Sequence, residues 1–90
     1  MEIYVITKRE LTEKTERVIL KEGGFKSYMD ALNRANELAL EEMKKYDDYK
    51  FTEKIQLLAD TEINGDGFAL YDTWYNVNTV EYRVRTIVVR

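Results

Sequence analysis

The chain has no cysteine, no histidine and no proline among its 90 residues. Without cysteine there is no disulfide, no thiol nucleophile and no thiolate metal ligand. Without histidine, the commonest general base and the commonest metal ligand are missing as well. These absences exclude Ser-His-Asp and Cys-His hydrolases, zinc fingers and most transition-metal sites. Carboxylate-based catalysis and the binding of magnesium or calcium remain open.

Long apolar runs and a strong charge of one sign are also missing. No stretch approaches the roughly 18 apolar residues of a membrane span, and the opening MEIYVITKRE lacks the apolar core of a signal peptide. We therefore expect a cytoplasmic protein that does not contact membranes. A formal net charge of −3 is a poor basis for non-specific binding to duplex nucleic acid. Ninety residues, 44% of them hydrophobic, predict one globular domain over residues 1–90.

The N-terminal half predicts two strands and a helix. Residues 2–7 are rich in β-forming side chains, residues 8–16 are polar and read as a connection, and residues 17–21 again favour a strand. Ser27 followed by Asp30 resembles a capping box that starts a helix of about five turns. Its apolar residues share one face when placed at 100° intervals. Glu41-Glu42 and Asp47-Asp48 read as solvated charge near its end.

The C-terminal half predicts three strands. Residues 49–60 alternate as a strand, although residues 52–60 are also good helix material. Segments 68–75 and 79–89 then form a hairpin around Asn76-Val77-Asn78, in which Leu70 faces Val84 and Tyr71 faces Arg83. The element order β-β-α-β-β-β predicts a two-layer α+β fold, with one helix on one face of a mostly antiparallel sheet of about five strands.

The exposed face of this hairpin is the first candidate site. Tyr71, Tyr75, Arg83 and Arg85 combine flat apolar area with positive charge, which is the chemistry enriched at protein interfaces. The same mixture can stack single-stranded bases while arginines contact phosphates. Ordinary cross-strand pairing on a solvated sheet is the structural alternative.

Met29 and Leu40 on the helix are the second candidate. They lie eleven positions apart, about 20° apart in projection, and away from the centre of the apolar face. An apolar strip of this kind suits a dimer seam or a partner contact. Two isolated exposed apolar residues are the alternative.

Carboxylate clusters give no site. Residues 60–66 begin like a calcium loop, but position 8 is Gly67 and position 12 is Tyr71, where an apolar anchor and a bidentate Glu are needed. A hairpin turn explains the segment better, so we expect neither metal nor cofactor. Asp72 falls on the core face opposite Tyr82 and reads as a structural carboxylate.

The sequence thus favours a non-enzymatic module that binds a protein partner or a second copy of itself. Single-strand nucleic-acid binding through Tyr71, Tyr75, Arg83 and Arg85 is the alternative. A carboxylate-dependent enzyme comes third, and it requires a deep pocket lined by two or more acids.

Overall fold

The computed structural model describes residues 1–45, 53–58, 66–73 and 75–89. Within them lie five strands and one α-helix: β1 Glu2–Glu10, β2 Arg17–Val18, α1 Tyr28–Lys44, β3 Glu53–Leu58, β4 Gly67–Asp72 and β5 Val77–Val88. The strands form one antiparallel sheet in the order β2-β1-β5-β4-β3. The helix packs on one face, mainly against β5 and β4. The predicted two-layer α+β fold is therefore confirmed.

The helix begins where the sequence predicts. The hydroxyl of Ser27 accepts a hydrogen bond from the backbone N–H of Asp30 at 3.3 Å, which satisfies one of the free donors of the first turn. Small side chains on the buried stripe, Ala31, Ala35 and Ala39, bring the helix close to the sheet. The core between the two layers consists of Ile6, Ala31, Ala35, Leu38, Ala39, Leu70, Val80, Tyr82 and Val84.

The first two strands differ from their predicted lengths. Residues 8–10, predicted as part of a connection, extend β1 because they pair with Tyr82, Glu81 and Val80 of β5. Strand β2, predicted over residues 17–21, has only two residues and gives way to a 3₁₀ turn at Leu20–Glu22. A cross-strand ion pair between Arg9 and Glu81 keeps polar residues in the extended ladder.

The segment for which both a strand and a helix were considered contains a strand. Residues 53–58 form β3, which pairs with β4 so that Ile55 lies opposite Leu70. Residues 60–65, which are all but one of the calcium-like segment 60–66 predicted as a hairpin turn, lie outside the described residues.

The predicted register of the last hairpin is wrong. Strand β4 ends at Asp72 and β5 begins at Val77, so Leu70 pairs with Val80 and Tyr71 with Asn78, not with Val84 and Arg83. Asp72 fixes the turn, since its Oδ1 accepts a hydrogen bond from the backbone N–H of Tyr75 at 3.2 Å. Asn76 completes the turn with a φ of 54°. Asp72 is buried as predicted but lies opposite Val77, and it does not face Tyr82.

Candidate functional site

The face of the sheet that points away from α1, here called the outer face, carries charged side chains on the two central strands. The strand register places Val5 opposite Arg85, Thr7 opposite Arg83 and Arg9 opposite Glu81. These residues alternate with the core residues Ile6, Tyr82 and Val84 along the same strands. The outer face is thus built by the same period-2 alternation that builds the core.

Glu81 is the centre of one group of contacts on this face. Its Oε1 accepts hydrogen bonds from Nε and Nη2 of Arg9, at 3.2 and 2.9 Å. Nη2 of Arg83 lies 3.7 Å from the same oxygen, and Nδ2 of Asn78 donates to Oε2 at 3.1 Å. The Glu81 side chain is only 9% exposed, so a carboxylate that would be costly to bury alone is held by two cations and an amide.

Glu16 is the centre of a second group. It comes from the segment that joins β1 to β2, and its Oε2 accepts a hydrogen bond from the hydroxyl of Thr7 at 2.6 Å. Its Oε1 forms an ion pair with Nη2 of Arg85. Thr7 is almost completely buried, so the segment crosses over the middle of the outer face at this point.

A cleft of about 400 Å³ opens between these two groups. We call it the outer cleft, and its lining residues are Arg9, Lys14, Thr15, Glu16, Glu81, Arg83 and Arg85. Four of the seven are basic and two are acidic, so the lining is predominantly cationic. A smaller cleft of about 230 Å³ lies beside it, shares Arg9 and Glu81, and is bordered by the exposed side chain of Leu11.

The four residues predicted to form the exposed hairpin site do not share one spot. Arg83 and Arg85 line the outer cleft, where their side chains are 14% and 25% exposed. Tyr71 lies opposite Asn78. Four strand residues, about 13 Å at about 3.3 Å each, separate it from Gly67, the residue opposite Arg83. Its hydroxyl donates to Oδ1 of Asn76 at 2.6 Å. Tyr75 lies in the turn and is exposed.

The second predicted site is found on the helix surface. Met29 is 56% exposed and Leu40 is 38% exposed. Eleven residues at about 1.5 Å each separate them by about 16 Å along the axis, with Asn33 and Asn36 between them. The hypothesis that these two side chains contact a partner stays a prediction.

A third charged group lies on the helix side of the sheet, and sequence reasoning missed it. Glu42 was interpreted as solvated, but it is buried and accepts hydrogen bonds from the hydroxyl of Tyr82 at 3.3 Å and from Lys45 at 3.1 Å. Burial alone would raise the pKa of Glu42, yet Lys45 and Lys8 lower it overall. Burial and the neighbouring Glu42 raise the pKa of Tyr82.

Sequence reasoning found two of the seven residues that line the outer cleft. It missed Arg9, Lys14, Thr15, Glu16 and Glu81 because it treated β1 and the following segment as unrelated to the hairpin. The pattern Thr7-x-Arg9 matches Arg83-x-Arg85 in spacing. Pairing β1 with β5 would have placed both patterns on one face.

The described parts of the chain hold no group of three or more acidic side chains arranged to bind a metal ion. No helix among them is long and apolar enough to span a membrane. Comparison with protein-family models, with curated proteins and with solved structures found no match.

Proposed function

We propose that this chain is a small non-enzymatic module of the cytoplasm that binds a protein partner through its outer cleft. The observation that carries the proposal is the arginine-lined cleft on the sheet face that α1 leaves open. Its volume of about 400 Å³ is within the roughly 300–1,000 Å³ of ligand-binding pockets. Arginine is among the residues that contribute most to binding at protein interfaces.

The rigidity of the cleft supports a binding role. Arg9, Arg83 and Arg85 all project from the two central strands, and each is held by a glutamate. Side chains already ordered before binding lose less conformational entropy when a partner docks. The smaller cleft next to it, with Leu11 at its edge, extends the same surface with apolar area.

The two acids in the cleft are also the feature that a carboxylate-dependent enzyme would need. Glu81 is bonded to Arg9 and Glu16 to Arg85. Both carboxylates are thereby occupied by salt bridges, whereas a general acid or base must be within reach of a reacting group. Their arrangement favours binding over proton transfer.

Single-strand nucleic-acid binding has less support from the geometry. Base stacking requires aromatic rings next to the cations. Neither tyrosine of the predicted site lines the outer cleft: Tyr71 lies about 13 Å along β4 from the level of Arg83, and Tyr75 is in the turn. We expect no mobility shift with a single-stranded oligonucleotide at about 50 mM salt.

The test replaces an exposed cation of the cleft. Reversing Arg83 and Arg85 would place carboxylates beside Glu81 and Glu16 and would disturb folding, so Lys14, which is exposed, is the better position. Lys14→Glu is compared with Lys26→Glu, an exposed lysine outside the cleft that gives the same change in net charge.

Each immobilised variant is used to capture proteins from the native host, and each captured protein is purified and titrated by calorimetry. We expect one partner whose affinity falls about tenfold with Lys14→Glu and is unchanged with Lys26→Glu. Equal affinities for the two variants would contradict the proposal. The wild-type protein and both variants must show the same melting temperature within about 3 °C.

A further inference from the structure

The Glu16 carboxylate is bound by two side chains of the outer face. It is bound at one oxygen by the hydroxyl of Thr7, at 2.6 Å, and at the other by the guanidinium of Arg85. Thr7 is 3% exposed and both donors belong to paired strands, so their positions are fixed by the sheet. A hydroxyl and a guanidinium that converge on two carboxylate oxygens form a charge-assisted site for this group.

The segment that supplies Glu16 can shift enough to release this carboxylate without disturbing the core. Residues 11, 12, 14 and 15 are exposed, and none of the residues from 11 to 18 belongs to the hydrophobic core. Strand β2, which follows, pairs with β1 at only two positions. A segment with exposed side chains and few backbone pairs opens at low free-energy cost.

The remaining lining selects for negative charge. Once Glu16 leaves, the lining consists of Arg9, Lys14, Arg83 and Arg85, with Thr15 and one acid, Glu81. An incoming carboxylate restores the original balance of charge, whereas a neutral or cationic group does not replace the negative charge that Glu16 placed beside Arg85. Exchange of one carboxylate for another is therefore the substitution that costs least.

From these three observations we infer that the partner presents an acidic peptide segment, and that one of its carboxylates takes the place of Glu16 at Thr7 and Arg85. This inference rests on the proposed function, since it identifies what the outer cleft binds. Glu16 acts as an internal competitor, so partner binding and release of the Glu16 carboxylate from Thr7 and Arg85 are coupled.

The matched pair of variants is Glu16→Gln and Glu37→Gln. Both remove one negative charge, but Glu37 lies exposed on α1, where it pairs with Arg34. The probe is a fluorescein-labelled glutamate-rich peptide, with a glutamine-rich peptide of equal length as its control. Binding is followed by fluorescence anisotropy, together with competition by inorganic phosphate and by a single-stranded oligonucleotide.

We expect Glu16→Gln to bind the acidic peptide about tenfold more tightly than Glu37→Gln, because the competing charged hydrogen bond is weakened. Equal or weaker binding by Glu16→Gln would overturn the inference, as would tighter binding of the oligonucleotide than of the peptide. Glu16→Asp, whose side chain retains the charge but is one methylene shorter, should show the same direction of change and provides a second variant.

The two proposals fail separately. If a captured partner depends on Lys14 but the acidic peptide binds no variant, the outer cleft is a protein-binding site for a different chemistry. If no protein depends on Lys14, the proposed function itself is wrong, whatever the peptide does.

Discussion

Strand β5 has two faces that are both largely buried, but by different means. On the helix side, Tyr82 and Val84 pack among apolar side chains of α1, β1 and β4. On the outer side, Glu81 forms ion pairs with Arg9 and Arg83, and Arg85 forms one with Glu16. Apolar packing needs only suitable volume, whereas each buried charge needs a particular partner. The outer face therefore tolerates fewer substitutions than the core and can bind fewer kinds of group.

Gly67 is the position where we expect the largest loss of stability, and it belongs to the outer face. A Cβ added here would lie 1.9 Å from the carbonyl oxygen of Tyr82 and 2.7 Å from the Cα of Arg83. Both are backbone atoms of the paired strand, so they cannot move aside without breaking the β4–β5 ladder. Gly67→Ala should lower the free energy of unfolding by roughly 4 kcal/mol or more, measured by urea denaturation. Thr86→Ala, at an exposed position of β5, should cost less than about 1 kcal/mol.

The contrast between the faces can be measured directly with two buried residues. Leu70→Ala, at a fully buried position on the helix side, should lower the free energy of unfolding by about 2–5 kcal/mol. Thr7→Val keeps the size of an equally buried outer-face residue and removes only the hydroxyl that donates to Glu16, so it should cost about 1 kcal/mol. Equal losses in urea denaturation would show that the two faces are not stabilised differently.

The smallest expected effect is the pH response of Glu42, an acid that is buried on the helix side. Burial raises its pKa, but Lys45, Lys8 and Tyr82 lower the pKa overall below its usual value of 4.5. The unfolded chain therefore takes up this proton at a higher pH than the folded one, and stability falls as the pH decreases through about 4.5 and below.

Glu42→Gln should flatten this part of the curve, when the midpoints of urea unfolding at about pH 6 and about pH 3.5 are compared. The wild-type protein serves as the reference. Parallel curves for the two proteins would mean that Glu42 contributes nothing to acid sensitivity.

The fold could be predicted because hydrophobic periodicity and local turn residues carry most of it. Ser27 indicated the start of the helix, and strand alternation separated Leu70 and Val84 from Tyr71 and Arg83. The hairpin register was wrong by four residues, since Leu70 pairs with Val80 and not with Val84. Because two is the period of a strand, the residues before the turn kept their predicted faces even though their partners changed.

The outer cleft could not be predicted to the same extent because it depends on long-range pairing. Glu16 and Arg85 are far apart in the chain and meet only because β1 pairs with β5.

The turn between β4 and β5 could have been predicted from local sequence, since Asp72 and Asn76 are typical turn residues. The tripeptide Asn76-Val77-Asn78 was an equally plausible turn and was preferred. Glu42 lies seven residues after Ala35, two turns along the same stripe, so the 100° spacing already placed it on the buried face.

The position of β5 has a consequence for how the chain folds. It follows the other four strands of the sheet in the chain, yet it lies at the centre of the sheet between β1 and β4. Strand β1 can pair only with the two residues of β2 until β5 emerges from the ribosome. The ladder between β1 and β5 closes a loop of nearly the whole chain, so loop-closure entropy opposes its formation and slows folding. Truncation before Val77 should therefore leave β1 and β4 as unpaired edges that are prone to aggregation, not a smaller folded protein.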